Sequence, residues 1–254
     1  MSSGSLALTD IWFKYSGEEE YALKDVSLTV LAGQSIAIVG RSGSGKSTLA
    51  TLLLGLIEPT SGSILIGNKD ICGLDLRCLR RQIGFVPQNP YIYAGTVSEN
   101  ITMFDPEIDE DTVRQAAVKA CIHEDILRLP GAYATLLSEG GQWLSSGQRQ
   151  RIAIARALVR DPVMLIFDEA TSALDGGIES ELMSQVSSLR CTKIVIAHRL
   201  SAIKGCDRIL VLRDGRIAEE GTHLELISRK GEYVAIMASQ LQCQDGHQTL
   251  GNVN

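Results

Sequence analysis

Short apolar runs alternate along the chain with longer, helix-like stretches. The runs are rich in Ile, Val and Leu, which is typical of strands buried on both faces of a parallel sheet. Strands are predicted at Ser35–Val39, Val163–Phe167, Lys193–Ala197 and Arg208–Leu212. Helices are predicted at Lys46–Leu56, Glu110–Ala120, Gly147–Arg160, Ile178–Leu189 and His223–Ser228. This alternation indicates an α/β fold with a parallel sheet.

The organisation changes between about Asn89 and Asp161, where strand-like runs give way to several helix-like stretches. We interpret residues 89–161 as a helical subdomain inserted into an α/β core formed by residues 1–88 and 162–243. Asp214-Gly215 separates two apolar runs and predicts a hairpin. Residues 244–254 are polar and are expected to form a flexible tail. We therefore expect the 254 residues to form a single domain with an insertion.

Composition excludes several classes of protein. The net charge of −6 disfavours nucleic-acid binding, which works by neutralising phosphates. No apolar run reaches the roughly 18 residues that a membrane-spanning helix needs, so another segment or chain would supply any membrane part. The 6 cysteines form no CxxC pair, and the sequence does not begin with a basic-then-apolar signal peptide. We expect reduced thiols in a cytosolic compartment.

A phosphate-binding loop is the strongest chemical signal. The pattern G-x-x-x-x-G-K-[ST] is matched by Gly40, Arg41, Ser42, Gly43, Ser44, Gly45, Lys46 and Ser47, with Thr48 following. A predicted strand precedes the loop and a predicted helix follows it, so backbone N–H groups and the helix N-terminus can face phosphate oxygens. Lys46 would bridge the β- and γ-phosphates and Ser47 would hold Mg²⁺. The alternative is a chance turn rich in glycine and serine.

Two adjacent acids end the predicted strand Val163–Phe167. The carboxyl ends of strands are where open α/β sheets bind ligands. Asp168 would stand on the Mg²⁺ side, and Glu169 would be the base that orients the attacking water. Alone, the pair could equally be a solvated strand end. Together with the phosphate loop it predicts an NTP-hydrolysing site.

The segment Leu144, Ser145, Ser146, Gly147 and Gln148 is similar to the Leu-Ser-Gly-Gly-Gln signature of ATP-binding-cassette (ABC) transporters. It stands upstream of the Asp-Glu pair, as in that family. The chain therefore resembles an ABC nucleotide-binding domain over about residues 6–241. This resemblance implies a phosphate-loop NTPase core with a mixed central sheet, an N-terminal antiparallel β part and an inserted helical subdomain.

Four further positions match the family pattern in order. Tyr15 resembles the aromatic residue that stacks on adenine, although it could be a core aromatic instead. Gln88 resembles the loop glutamine that touches Mg²⁺ or water and couples to the membrane domain, although it could be a surface amide. Asp175 resembles the acid of the loop that links the two sites of a dimer, although it could simply cap a helix. His198 resembles the switch histidine that contacts the γ-phosphate, although a lone histidine is often structural.

The resemblance also implies the working assembly. Two domains would pack head to tail as a homodimer, with each ATP held between one phosphate loop and the partner's signature helix. The partner beyond this sandwich would be the transmembrane domain of the same full-length exporter, and we expect no nucleic acid. The domain would then lie at the cytoplasmic face of the cell membrane.

Ser146 departs from the family pattern, because the signature usually has glycine there. Its Cβ and hydroxyl could crowd the γ-phosphate or donate a hydrogen bond to it, and the sequence leaves both open. Since Glu169 and His198 are both present, we expect an active ATPase.

Exporter-like features are Glu139-Gly140-Gly141 and the segment from Tyr93 to Ile101, which resembles the docking site for a membrane domain's coupling helix. The general character of the sequence resembles that of exporters of peptides or bacteriocins, and exporters of lipids or of multiple drugs are alternatives. Two other classes of cassette protein fit the sequence less well. A DNA-repair or translation cassette is disfavoured by the short spacing between phosphate loop and signature, the presence of one cassette and the acidic charge. A nucleotide-gated binding module with little hydrolysis is disfavoured because both catalytic side chains are present.

Overall fold

The computed structural model of the protein describes residues 4–197 and 199–239. The strands are β1 (Leu6–Phe13), β2 (Leu23–Val30), β3 (Ser35–Gly40), β4 (Ser61–Ile66), β5 (Lys69–Asp70), β6 (Ile83–Val86), β7 (Gly95–Thr96), β8 (Leu136–Leu137), β9 (Met164–Asp168), β10 (Thr192–Ile196), β11 (Arg208–Arg213) and β12 (Arg216–Gly221). The α-helices are α1 (Lys46–Leu53), α2 (Leu76–Arg81), α3 (Val97–Thr102), α4 (Glu110–Lys119), α5 (His123–Leu127), α6 (Ser146–Leu158), α7 (Gly176–Ser188), α8 (Leu200–Ile203) and α9 (His223–Arg229). Residues 232–239 are also helical.

Within the described residues, the central sheet has six strands in the order β12-β11-β3-β10-β9-β6. Adjacent strands of this sheet pair in parallel, except β11 and β12. These two form the antiparallel hairpin predicted at Asp214-Gly215. A separate antiparallel sheet has the order β2-β1-β4-β5. The mixed central sheet and the antiparallel N-terminal part confirm the predicted fold class.

Alternation along the central strands divides the core into two layers, because successive side chains point to opposite faces of a sheet. On β3, Ile36 and Ile38 belong to the apolar cluster that also contains the antiparallel sheet and α1. Ala37 and Val39 belong to the cluster that contains α3, α4 and α6. The strands β3, β9, β10 and β11 are covered on both faces, which explains their continuous apolar sequences.

Predicted boundaries differ from the observed ones mostly at the ends of elements. The helix predicted as Lys46–Leu56 ends at Leu53, because Gly55 adopts a φ of 59° in the left-handed region. The strand predicted as Val163–Phe167 is shifted by one residue to Met164–Asp168, since its register is fixed by pairing with β10 and β6. Among the described residues, no helix combines the length and the hydropathy required to cross a bilayer.

Candidate active site

Four predicted site segments follow strands that end at one edge of the central sheet. Because β6, β9, β10 and β3 are adjacent and parallel, their carboxyl ends lie together. The phosphate loop follows β3, Gln88 follows β6, and the acid pair closes β9. His198, the predicted switch residue, comes after β10 in the sequence and lies outside the described residues.

Glycine is required in the phosphate loop by backbone geometry. Gly43 and Gly45 have φ values of 78° and 103°, which side-chain-bearing residues rarely adopt. A Cβ on Gly45 would lie only 2.7 Å from Cδ2 of Leu23. A Cβ on Gly40 would lie 2.4 Å from the carbonyl oxygen of Leu212. The loop thus turns back tightly against β2 and β11 before α1 begins.

Lys46 is buried at the start of α1 and reaches back under the loop. Its Nζ donates to the carbonyl oxygens of Gly40, at 2.8 Å, and of Arg41, at 2.9 Å. Burial lowers the pKa of Lys46, while the nearby carboxylates of Glu169 and Asp168 oppose that shift. The ammonium is therefore held at the site by weak carbonyl acceptors, which an anionic phosphate oxygen could replace.

The N-terminus of α1 has no side-chain cap and no acidic residue in its first turn. Its unpaired backbone N–H groups and its dipole favour a bound anion. Ser47 and Thr48 line the cleft at this end. The hydroxyl of Thr48 lies 3.1 Å from the hydroxyl of Tyr15.

The acid pair is positioned by a strained backbone turn. Glu169 has a φ of 52°, which is uncommon for a residue with a side chain and costs of order 1 kcal/mol. Its N–H donates to the carbonyl of Ile196 at 2.8 Å, which ties the end of β9 to β10. Gln88 Nε2 donates to Glu169 Oε2 at 2.7 Å. The loop glutamine and the proposed base are thus in direct contact.

A cleft of about 760 Å³ joins these groups. The predicted site residues that line it are Tyr15, Ser42, Gly43, Gly45, Lys46, Ser47, Thr48, Gln88 and Glu169. Gly40, Arg41 and Ser44 do not line it, because Gly40 and Ser44 are buried and the exposed side chain of Arg41 pairs with Glu232. The negative charge of Asp168 opposes the lowering of the Lys46 pKa.

Tyr15 stands at one end of the cleft with 42% of its surface exposed. Its ring packs edge-on against Phe13, with centroids 4.9 Å apart. The alternative that Tyr15 is a core aromatic is therefore wrong. An exposed ring held from behind is suited to stacking on a nucleobase.

The signature segment forms the N-terminus of α6 and does not line the cleft of its own chain. Ser145 caps the helix: its Oγ accepts from Gln148 N at 3.1 Å, and Gln148 Oε1 accepts from Ser145 N at 3.0 Å. Leu144 is buried, whereas Ser146 is exposed at the first helical position. An added Cβ on Gly147 would lie 3.4 Å from the carbonyl oxygen of Ala173.

Asp175 caps α7, since its Oδ1 accepts from Gly177 N at 3.1 Å and from Ile178 N at 3.0 Å. The helix-cap interpretation therefore describes its contacts within one chain. A role between two chains stays a prediction.

Several residues at the site were not predicted from the sequence. Lys24, Asp214 and Gly215 line the cleft, although Asp214-Gly215 was recognised only as a turn. Arg41 pairs with Glu232 at 3.2 Å, across 191 positions of sequence. No short pattern signals such contacts, because they depend on how β11, β12 and the last helical segment return to the loop.

Comparison with known proteins identifies relatives of the whole chain. The family model described as ABC transporter matches residues 23–172. The ABC transporter ATP-binding protein YfiB of Bacillus subtilis is 42% identical over 238 residues, which cover 94% of this chain and 42% of YfiB. The ATP-dependent lipid A-core flippase of Chromohalobacter salexigens is 44% identical over 243 residues, which cover 94% of this chain and 42% of the flippase.

A solved structure, that of a bacterial Atm1-family ABC exporter with ATP bound, superimposes with a TM-score of 0.89 at 42% identity. The match covers 94% of this chain and 42% of that one. This chain therefore spans less than half the length of these relatives.

Proposed function

This chain belongs to the ABC transporter family as an ATP-binding domain, and we propose that it is the ATP-hydrolysing motor of an exporter. The observation that carries the proposal is the cleft in which a buried lysine, an uncapped helix N-terminus and a Gln88–Glu169 pair converge. Cationic and N–H donors on one side suit a triphosphate, and a carboxylate on the other suits activation of water.

Each side chain has a proposed role in hydrolysis. Lys46 binds the β- and γ-phosphates in place of the loop carbonyls that it now contacts. Glu169 orients the attacking water and accepts its proton, and Gln88 holds the carboxylate in position. His198 contacts the γ-phosphate, and Tyr15 stacks on adenine. The backbone N–H groups of the loop stabilise charge on the leaving phosphate.

The oxygen donors near Lys46 fit Mg²⁺ that arrives with the nucleotide. Ser47, Gln88 and Asp168 offer a hydroxyl, an amide and a carboxylate. Among the described residues, no cluster of three or more His, Cys, Asp or Glu side chains could hold a metal alone. This suits an ion that uses one carboxylate plus substrate phosphates. When bound, it would neutralise charge on the phosphates.

We propose that two copies work head to tail. The exposed N-terminus of α6, with Ser145 and Ser146, would face the γ-phosphate bound by the partner's loop. ATP would then be part of the interface, and hydrolysis would weaken it.

The membrane part of the exporter would dock on the segment from Tyr93 to Ile101 and on a groove beside α2 and α3 that adjoins it through Arg156, whose guanidinium lies 5.4 Å from the Tyr93 ring centroid and donates to Asn100 O. This groove has a volume of about 440 Å³ and is lined by Arg77, Arg80, Phe85, Met103 and Arg160 among others. Exposed apolar side chains next to it support an interface. The proposed location is thus the cytoplasmic face of the cell membrane.

The proposed cargo is a peptide. A lipid is the second candidate, because one relative is named a lipid A-core flippase. The ATPase rate of the full-length exporter in vesicles, with added peptides or lipids, would distinguish them: stimulation of ATP hydrolysis by peptides but not by lipids supports the first proposal, and the reverse supports the second.

The direct test is the Mg²⁺-dependent ATPase rate per molecule, measured over a wide range of protein concentration. We expect the specific rate to rise with concentration, because the active site needs two chains. Glu169→Gln keeps a side chain of the same shape and should lower turnover by roughly 10²-fold or more, as loss of a general base does. Glu181→Gln, an exposed amide replacement on α7, is the matched control.

A flat rate equal to that of Glu169→Gln, with ATP still bound, would contradict the motor proposal. It would favour the nucleotide-gated binding module with little hydrolysis.

A further inference from the structure

The side chain of Arg199 forms hydrogen bonds with the loop that joins the acid pair to α7. Its guanidinium donates to the carbonyl oxygens of Thr171 at 3.4 Å, Ser172 at 2.9 Å and Leu174 at 3.0 Å. It also pairs with Glu179 Oε2 at 3.2 Å. We call this set of contacts the arginine clamp. One side chain thus contacts three backbone acceptors in a loop whose own turn hydrogen bonds run from Ser172 N to Glu169 O and from Leu174 N to Thr171 O.

The carboxylate of Glu179 strengthens the clamp because its side chain is only 5% exposed. Glu179 Oε1 is buried with no hydrogen-bond partner among the described residues. Arg199 therefore supplies the charge that compensates this buried carboxylate. In return, the carboxylate fixes the direction of the guanidinium toward the loop.

The clamped loop also packs against the signature helix of the same chain. An added Cβ on Gly147 would lie 3.4 Å from the carbonyl oxygen of Ala173 and 3.6 Å from Cδ2 of Leu174. Leu174 is buried. A shift of residues 171–174 would therefore displace the N-terminus of α6, where Ser145 and Ser146 lie.

The clamp thus connects two functional regions. The loop that the Arg199 head group holds begins directly after Glu169, which lines the cleft, and ends at Asp175. We infer that Arg199 is a positioning residue that holds residues 171–175 so that nucleotide occupancy at Glu169 is transmitted through this loop to the signature helix. This inference rests on the proposed function, because it needs ATP in the cleft.

A guanidinium is needed for this task. Its planar fork carries five N–H donors, so it can serve several carbonyls and a carboxylate at once. Lysine keeps the charge and could still pair with Glu179, but its single ammonium cannot match three carbonyls spread along a loop. Arg199→Lys is thus a conservative change that removes the hydrogen bonds to the loop carbonyls while it leaves the charge of the buried carboxylate compensated.

The test is hydrogen exchange of the 254-residue chain with and without the non-hydrolysable ATP analogue AMP-PNP and Mg²⁺. In the unchanged protein, we expect the nucleotide to slow exchange in the phosphate loop, residues 40–48, and also in residues 170–175. In Arg199→Lys, slowing at residues 40–48 should remain, and slowing at residues 170–175 should be lost. Arg114→Lys, which alters an exposed ion pair on α4, is the matched control.

The outcomes separate the two proposals. No slowing at residues 40–48 in the unchanged protein contradicts the proposed function. Slowing at residues 40–48 with none at 170–175 overturns the clamp, as does slowing at 170–175 that persists in Arg199→Lys.

A second readout distinguishes positioning from simple structural support. Turnover at saturating ATP should fall roughly 10- to 100-fold in Arg199→Lys, as misplacement by about 1 Å can cause. ATP affinity should stay within about twofold, because the clamp does not line the cleft. Equal losses of affinity and turnover would indicate a general structural role and contradict the inference.

Discussion

Ser146 is exposed at the first position of α6, and its backbone is not in the left-handed region. Glycine's freedom is therefore not required there, so the residue acts through its side chain. Its hydroxyl lies beside the capped helix N-terminus, where it can add a donor toward a partner-bound phosphate. We thus favour the hydrogen bond over steric crowding.

If the hydroxyl donates, Ser146→Gly and Ser146→Ala should both lower turnover about fivefold, the value of one hydrogen bond of about 1 kcal/mol. The measurement is the ATPase rate at saturating ATP and high protein concentration. Crowding would give a different pattern, in which glycine speeds turnover and alanine, which keeps the Cβ, leaves it unchanged.

The residues of the phosphate loop could be predicted from the sequence, and the residues that hold the neighbouring segments in place could not. Gly45, Lys46 and Ser47 stand at fixed spacing because one continuous loop makes the contacts. Arg199 contacts residues 171–174 and Arg41 pairs with Glu232, and such contacts join segments far apart in the chain. Only the packing of the central sheet brings these segments together, and no local pattern encodes it.

Among the elements, α4 shows how a charged cap links stability to pH. The N–H of Thr112 donates to Asp109 Oδ1 at 2.7 Å. This backbone hydrogen bond is the main reason that the pKa of Asp109 lies below its usual value. A lowered carboxyl pKa stabilises the fold above the unfolded pKa of about 3.9 and loses this effect as pH falls through the folded value.

We therefore expect the free energy of unfolding to fall as the pH drops below about 4, and to fall less in Asp109→Asn, because asparagine caps helices without titrating. Urea unfolding at each pH measures this. Asp111→Asn removes a carboxylate from the same turn but leaves the cap intact, so it should retain the pH dependence of the unchanged protein. Parallel curves for all three proteins would contradict the cap as the source.

The same elements show where prediction from sequence stops. The central strands β3, β9, β10 and β11 were predicted within one or two residues, since Ile, Val and Leu runs with two buried faces leave little freedom, whereas β6 of the same sheet was not predicted. The antiparallel strands β1, β2 and β4 were not individually predicted, because their half-buried pattern is weaker and β1 is interrupted by register shifts. The end of α1 was missed because Gly55 stops the helix through its left-handed backbone.

For the whole molecule, one apolar cluster joins the proposed helical subdomain to the ATP-binding core. It contains Val97 and Ile101 from α3 together with Val39 and Phe167 from the central sheet, all buried. Because the helical subdomain and the ATP-binding core share this cluster, we expect them to unfold together in one cooperative transition. The nucleotide cleft lies at the carboxyl edge of that same sheet, so binding energy should stabilise both parts together.

We thus expect one thermal transition that ATP with Mg²⁺ shifts as a whole. At about 100 times Kd, a ligand adds roughly 2.7 kcal/mol, and a domain of this size gains about 2–4 °C per kcal/mol, so Tm should rise by roughly 5–10 °C. Lys46→Ala should lose most of this shift, whereas Lys69→Ala, on the exposed strand β5, should keep it. Two calorimetric transitions with only one shifted would mean that residues 89–161 unfold apart from the core, and that the shared cluster does not couple them.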